Sequence, residues 1–172
     1  IGNLIKLQPS RHFSLDELLK NTSKSIFEQS NLINTGIPIL DSVISGMTRG
    51  EISIIAGRPG NAKTTIAANI ARNLISDGKK VVMFNREMPN IEMMKKFMAM
   101  ESKDLPYRNL RHNVDIDSAK IEEVSNMIRE KYEDKLFMFD DIRDLDGSFR
   151  EIKAINPDVV IDDHIGLIEF SP

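Results

Sequence analysis

The stretch from Glu51 to Ala71 constrains the fold of this chain more than any other part of the sequence. A short β-branched run ends at a turn rich in Gly and Pro, and a Lys-Thr pair then opens an apolar pattern at helical spacing. This order of strand, loop and helix matches the phosphate-binding pattern G-x-x-x-x-G-K-[ST] at every position but one. The exception is Ala62, which stands where the pattern has its second Gly.

The loop residues have the chemistry that a triphosphate requires. Successive backbone N–H groups from about Gly60 to Thr64 would form an anion nest beside the positive end of the following helix. Lys63 would reach the β- and γ-phosphates, and the Thr64 hydroxyl would ligate Mg²⁺. A plain surface turn is the alternative, but it does not explain the Lys-Thr pair at this spacing. The predicted nucleotide-binding residues are Gly57, Arg58, Pro59, Gly60, Asn61, Ala62, Lys63, Thr64 and Thr65.

The effect of Ala62 depends on the backbone at that position. A Cβ is harmless if the residue has negative φ at the start of the helix, and it is costly if the loop requires positive φ. In the second case we expect weakened nucleotide affinity.

Apolar runs and amphipathic patterns alternate along the rest of the chain. We predict strands over 52–56, 80–84, 136–139 and 159–161 and helices over about 14–29, 39–44, 63–77, 90–101, 118–134 and 148–155, with a polar loop over 102–113. Because the strand runs lack polar alternation, they are typical of parallel strands buried on both faces. The predicted fold class is therefore α/β, in three layers around a mostly parallel central sheet with right-handed crossovers.

Carboxylates follow two of the predicted strands, at the edge where α/β sheets bind ligands. Asp162 and Asp163 end the fourth strand, and one of them would hold the Mg²⁺ hydration shell; a polar strand terminus is the alternative. Glu87 lies just past the second strand and could orient and deprotonate an attacking water. It could equally be a glutamate at the start of the helix that follows Pro89.

Length and composition narrow the class of protein. At 172 residues the chain has the length of one domain with at most a short appendage. The absence of Cys excludes a disulfide framework and a thiolate metal site. The longest apolar runs have about five residues and a membrane helix needs roughly 20, so we expect no membrane span and an intracellular protein. A net charge of −3 gives no argument for nucleic-acid binding.

Five motifs in this order resemble the RecA-like ATPase domain of DnaB-type replicative helicases, and the likeness runs from about Thr35 to Ile168. They are Thr35-Gly36-Ile37 with Leu40-Asp41, the loop from Gly57 to Thr65, Glu87-Met88, Phe139-Asp140-Asp141, and the stretch from Ile161 to Leu167. The resemblance implies a RecA-like P-loop core over 35–172. It also implies that 1–34 is a linker segment whose helix docks on an adjacent subunit.

The resemblance further implies ATP and Mg²⁺ as cofactors and assigns roles to single residues. Lys63 and Glu87 would be catalytic, with Glu87 as the general base. Thr64 and Asp163 would hold the metal, and Asp162, the residue before Asp163, is the second candidate aspartate. Proteins of this family are ring helicases that assemble as homo-hexamers, bind single-stranded DNA in the channel, and work with a primase or loader. The expected location is the cytoplasm, or the host cytoplasm for a phage protein.

The chain departs from the family pattern in three places. Ala62 replaces the loop Gly, and Gly166 stands where the family has a Gln that links the γ-phosphate to DNA binding. The sequence also ends at Pro172, before the family's DNA-binding loops and arginine finger, so we expect weak ATP binding and little turnover by this chain alone. Two alternatives stay open: another RecA-like ATPase of the recombinase or clock-protein kind, and a degenerate nucleotide-binding module for assembly.

Overall fold

The computed structural model describes residues 14–27, 32–102 and 104–169. The strands are β1 (Leu32–Ile33), β2 (Met47–Thr48), β3 (Val81–Asn85), β4 (Leu136–Phe139) and β5 (Val159–Asp163). The helices are α1 (Leu15–Phe27), α2 (Pro38–Ile44), α3 (Lys63–Ser76), α4 (Asn90–Glu101), α5 (Tyr107–His112), α6 (Ser118–Tyr132) and α7 (Leu145–Ile155), and a 3₁₀ turn covers Ile165–Leu167.

A parallel sheet with the strand order β4-β3-β5 forms the centre of the molecule. Every residue of β3 is buried, as expected for a strand with neighbours on both sides and helices packed against it. The core continues into α3, α4 and α6 through apolar side chains that include Leu74, Phe97 and Ile128. The predicted α/β class with parallel strands is therefore confirmed.

The first predicted strand is wrong. Residues 52–56 are not a strand, and Ile52 and Ile54 are 90% and 82% exposed. A β-branched run becomes a strand only when a neighbouring strand supplies hydrogen-bond partners. Within the described ranges, the strands that pair are β1 with β2 and β3 with β4 and β5, and none pairs with 52–56.

Three further differences concern α5, the start of α7 and the β1–β2 pair. Helix α5 lies inside the predicted polar loop, because six residues give too little periodicity to detect. Helix α7 begins at Leu145, three residues before the predicted start, because the Asp144 carboxylate caps it by accepting a hydrogen bond from the Gly147 N–H. The antiparallel pair β1–β2 was not predicted. Helix α1 agrees with the expected helix, whose last positions, 28 and 29, lie outside the described residues.

Residues before the loop are fixed to α3 by a small polar cluster. The Asp41 carboxylate accepts hydrogen bonds from the N–H and hydroxyl of Thr35 and from the N–H of Gly36. The Asn73 amide in turn donates to the Thr35 carbonyl at 3.1 Å. A Cβ at Gly36 would lie 2.5 Å from the Asn73 Cβ, so the backbone approach requires glycine.

A buried carboxylate joins α3, α4 and α6. The Glu101 side chain is only 5% exposed and accepts hydrogen bonds from Arg72, Lys131 and the Tyr132 hydroxyl at 2.7–2.9 Å. Desolvation raises the pKa of Glu101, but the hydrogen bonds from its three partners outweigh it, and the net pKa is lowered.

Replacing Glu101 with Gln should lower the free energy of unfolding by about 3 kcal/mol, because the charges of its partners lose their counterion. A lowered pKa in the folded state means that the Glu101 contribution is full above the pKa of an unfolded glutamate and is lost as the pH falls. The difference between wild type and Glu101→Gln in urea unfolding should therefore shrink below pH 4–5, roughly where an unfolded glutamate titrates. Glu130→Gln, on the exposed face of α6, is the matched control and should match wild type. Equal unfolding midpoints for Glu101→Gln and Glu130→Gln at neutral pH would contradict the assignment.

In the part of the chain that the structure describes, no helix has both the length and the apolar character needed to cross a membrane.

Candidate active site

Three elements bring their polar ends together at the carboxyl edge of the sheet. Thr64 lies in the first turn of α3, Asp163 ends β5, and Glu87 follows β3. Because β3 and β5 are parallel neighbours with Asn85 opposite Asp163, their carboxyl ends meet at one edge. All three residues line a cavity of about 500 Å³, whose other lining residues are Met88, Pro89, Glu92, Tyr107 and Arg111.

A direct hydrogen bond connects the loop to the end of β5. The Thr64 hydroxyl donates to Oδ2 of Asp163 at 2.8 Å, across 99 residues of sequence. Asp163 is buried, and it lines the cavity. A hydroxyl and one carboxylate side by side are a ligand pair that suits Mg²⁺, which usually completes its octahedron with waters and phosphate oxygens.

The described residues contain no group of three or more His, Cys, Asp or Glu side chains that could hold a metal by themselves.

The loop itself is exposed, apart from the half-buried Lys63 and Thr64. The Asn61 N–H donates to the Arg58 carbonyl at 3.1 Å, which closes a tight turn at Gly60, where φ is +81°. The Lys63 ammonium donates to the Gly57 and Arg58 carbonyls at 3.1 and 3.3 Å and so lies over the loop. A phosphate would offer this ammonium a charged acceptor, which makes stronger hydrogen bonds than carbonyls do.

Ala62, the residue before α3, has a left-handed backbone with φ +57° and ψ +22°. Its carbonyl accepts the first helical hydrogen bond, from the Ile66 N–H. Ala62 therefore has the positive φ at which a Cβ is unfavourable, since a non-glycine residue at such angles is strained by roughly 1–2 kcal/mol.

Replacing Ala62 with Gly should raise the free energy of unfolding by about 1 kcal/mol, because the native φ suits glycine and strains alanine. Affinity for MgATP should not fall, since the change removes only a methyl group from the loop. Ala154→Gly, at an exposed position of α7, is the matched control and should have the opposite sign, lowering stability by about 1 kcal/mol. Urea unfolding of both variants checks the pair, and a loss of stability in Ala62→Gly would contradict the strain.

The two aspartates at the end of β5 have different surroundings. Both oxygens of Asp162 accept hydrogen bonds from Arg86, at 2.8 and 2.7 Å. The Arg86 side chain is 0% exposed, and its other donors bind the carbonyls of Ile142 and Arg143 and the Ser148 hydroxyl. Asp163, and not Asp162, lines the cavity. The geometry therefore favours Asp163 among the two predicted metal residues, since Asp162 is held by the buried Arg86.

Glu87 has a partner that the sequence did not indicate. Nδ1 of His164 lies 2.9 Å from Oε2 of Glu87, although 77 residues separate them. His164 directly follows Asp163, and this adjacency at a strand end is the signal that could have identified it. Tyr107 and Arg111 were also missed, because they lie on the unpredicted helix α5.

Comparison with known proteins assigns most of the chain to one protein family. A family model described as the DnaB-like helicase C terminal domain matches residues 33–171. The chain belongs to the DnaB-like helicase C-terminal domain family.

Several curated proteins named "Replicative DNA helicase DnaB" are similar to parts of this DnaB-like domain. The one from Mycoplasma pneumoniae is 28% identical over 148 residues, which cover 79% of this chain and 31% of that protein. The one from Treponema pallidum is 29% identical over 126 residues, covering 71% and 28%, and one from Buchnera aphidicola is 41% identical over 73 residues, covering 41% and 16%. The chain thus spans about a third or less of these relatives.

A solved structure that is named as an ATPase domain has the same fold. Its TM-score to this chain is 0.73 at 23% identity, and the match covers 94% of this chain and 61% of that one. The DnaB-like domain described here therefore has the fold of a RecA-like ATPase domain.

Proposed function

We propose that this chain is the ATP-binding and ATP-hydrolysing motor domain of a ring-forming replicative DNA helicase. The observation that carries the proposal is the 2.8 Å hydrogen bond from Thr64 to Asp163, with Glu87 on the same cavity. A hydroxyl that follows a phosphate-binding lysine and a carboxylate that ends a parallel strand are the two protein ligands a MgATP site requires. Family membership supports the same function.

Each residue of the site has a chemical role in this proposal. Backbone N–H groups between Gly60 and Thr64 bind the phosphates, and the Lys63 ammonium turns from the loop carbonyls to the β- and γ-phosphate oxygens. Thr64 and Asp163 would hold Mg²⁺, which supplies Lewis-acid stabilisation of the charge on the transferred phosphoryl group. Glu87 orients a water in line with the γ-phosphorus and accepts its proton.

The whole protein would couple this hydrolysis to translocation along single-stranded DNA and to duplex unwinding. We propose a homo-hexamer with ATP between subunits, working with a primase or a loader in the cytoplasm, or in the host cytoplasm if the protein belongs to a phage. Exposed leucines on α1, at Leu15, Leu18 and Leu19, support the docking of this helix on an adjacent subunit. Because β1 pairs with β2, we propose that the linker segment ends just before Leu32.

Titration calorimetry and an unwinding assay test the proposal together. MgATP should bind the wild-type full-length protein, and Lys63→Ala should weaken that binding by about tenfold or more, since a charged contact to phosphate is removed. Lys153→Ala, an exposed lysine on α7, is the matched control and should bind as wild type does. The full-length protein should unwind forked DNA with ATP. Intact nucleotide binding without unwinding would count against the helicase function.

The left-handed backbone of Ala62 favours one second candidate, a nucleotide-binding module that serves assembly without hydrolysis. A strained loop would hold its anion less well than a relaxed one. This candidate predicts no MgATP binding, or binding that Lys63→Ala does not change. Family membership decides against the recombinase and clock-protein alternatives.

A further inference from the structure

His164 follows β5 directly, and its imidazole reaches across the cavity edge to the residue that follows β3. Nδ1 lies 2.9 Å from Oε2 of Glu87. We propose that His164 is a positioning residue: it fixes the Glu87 carboxylate in the orientation that takes a proton from the attacking water. This inference rests on the proposed function, since it presumes that Glu87 acts as the general base.

The chemistry of the two groups determines the direction of the hydrogen bond. An ionised carboxylate accepts and cannot donate, so the proton lies on Nδ1 of His164. One oxygen of Glu87 is then occupied, and the other remains available for water. Orientation matters because a general base acts only within hydrogen-bond reach of the proton that it abstracts.

Without this bond, little would hold the Glu87 side chain. It is 64% exposed, and among the described residues His164 is its one hydrogen-bond partner. An exposed glutamate samples several rotamers, and fixing it in one of them costs side-chain conformational entropy. The imidazole restricts this freedom at the place where the water must be held.

The backbone places the ring with unusual geometry. His164 has φ +84°, in the left-handed region that few non-glycine residues adopt. Its carbonyl accepts a hydrogen bond from the Leu167 N–H at 2.9 Å, which closes the 3₁₀ turn. A Cβ at Gly166 would lie 3.5 Å from the His164 ring, so the ring sits directly beside the Gly166 backbone. A strained residue held by its turn is a common feature of functional sites.

The fold does not need the His164–Glu87 contact. The ends of β3 and β5 are already joined by the buried Arg86–Asp162 pair and by the hydrogen bond from the Arg86 N–H to the Asp163 carbonyl. An exposed pair adds at most about 1 kcal/mol to stability and often nothing. The contact therefore serves the orientation of Glu87 rather than the sheet.

The test compares two substitutions in the full-length protein. His164→Gly removes the imidazole and suits the positive φ. His164→Asn also tolerates this backbone and places an amide N–H near the position of Nδ1. We expect His164→Gly to lower kcat for ATP hydrolysis about tenfold, the low end of the loss seen when a group that orients a metal ligand is removed. KM for ATP and the dissociation constant of MgATP should change by less than about twofold, and His164→Asn should recover kcat to within about threefold of wild type.

The Glu87→Gln background separates this inference from the proposed function. His164→Gly should have no further effect on single-turnover rates in Glu87→Gln, because the two residues act as one unit. Undiminished hydrolysis by Glu87→Gln would overturn the base assignment and the positioning role together. Wild-type kcat in His164→Gly, with Glu87→Gln inactive, would overturn the positioning role alone. A loss in His164→Gly that Asn does not rescue, or that persists in Glu87→Gln, would overturn it as well. Melting temperatures no lower than that of the wild type establish that the variants are folded.

Discussion

Replacing Glu87 with Gln should slow ATP hydrolysis about 100-fold or more, while the affinity for MgATP changes by less than about threefold. Glutamine keeps the shape of the side chain and can still contact His164, but its amide cannot accept a proton from water. The residue touches neither the loop nor the Thr64–Asp163 pair in the described contacts, so nucleotide binding should survive. Steady-state kinetics and calorimetry on the full-length protein measure the two quantities.

Glu92→Gln is the matched control for this prediction. Glu92 lines the same cavity but is held by Lys95 at 2.8 Å, and the hydrogen bond from Lys95 is the main reason that the pKa of Glu92 is lowered. Its loss should change kcat by no more than about twofold, since the cationic Lys95 lowers the pKa of Glu92 and makes this carboxylate a poor proton acceptor. Equal losses in Glu87→Gln and Glu92→Gln would show that the charge of the cavity matters rather than one base.

Replacing Asp163 with Asn should lower ATP turnover roughly 100-fold or more and remove the advantage of MgATP over metal-free ATP in binding. Asparagine keeps the hydrogen bond from the Thr64 hydroxyl but lacks the charge that holds a divalent cation. Calorimetric titrations with ATP, in magnesium and in EDTA, measure the difference between the two affinities.

Asp162→Asn, one residue earlier, should behave in the opposite way. It should lower the free energy of unfolding by roughly 2–3 kcal/mol, because buried Arg86 loses its counter-charge, and it should keep the magnesium dependence of ATP binding. Loss of magnesium dependence in Asp162→Asn, with Asp163→Asn unaffected, would exchange the roles of the two aspartates.

Local sequence predicted the parts of the candidate site that depend on the loop, on the helix after it and on the parallel strands. The apolar runs that became β3, β4 and β5 predicted a parallel sheet, and a parallel sheet brings residues after different strands to one edge. That reasoning brought Glu87 and Asp163 to the same edge as the loop. The residues alone left the choice between Asp162 and Asp163 open, because successive side chains of a strand point to opposite faces and the sequence does not say which face holds Arg86. The family resemblance chose Asp163, and the geometry favours the same residue.

The features that the sequence did not predict depend on distant partners or on single backbone angles. The run 52–56 has the composition of a strand but lacks a neighbour among the described residues, and pairing is a non-local property that composition does not contain. The contact between Glu87 and His164 joins residues 77 apart and depends on a left-handed residue that no pattern required. The same left-handed geometry at Ala62 became visible only from the backbone angles.

The unpaired run around Ile52 and Ile54 also affects how these 172 residues behave in solution. This run presents β-branched side chains and backbone groups that belong to no described strand pair. Strand β5 lies at an edge of the described sheet, where it presents unpaired backbone groups and the half-exposed Val160. Unpaired β-branched runs and sheet edges are templates for strand pairing between molecules. We therefore expect the chain by itself to self-associate, and Ile54→Lys should reduce this association, since a charged residue in an apolar run acts as a gatekeeper against aggregation.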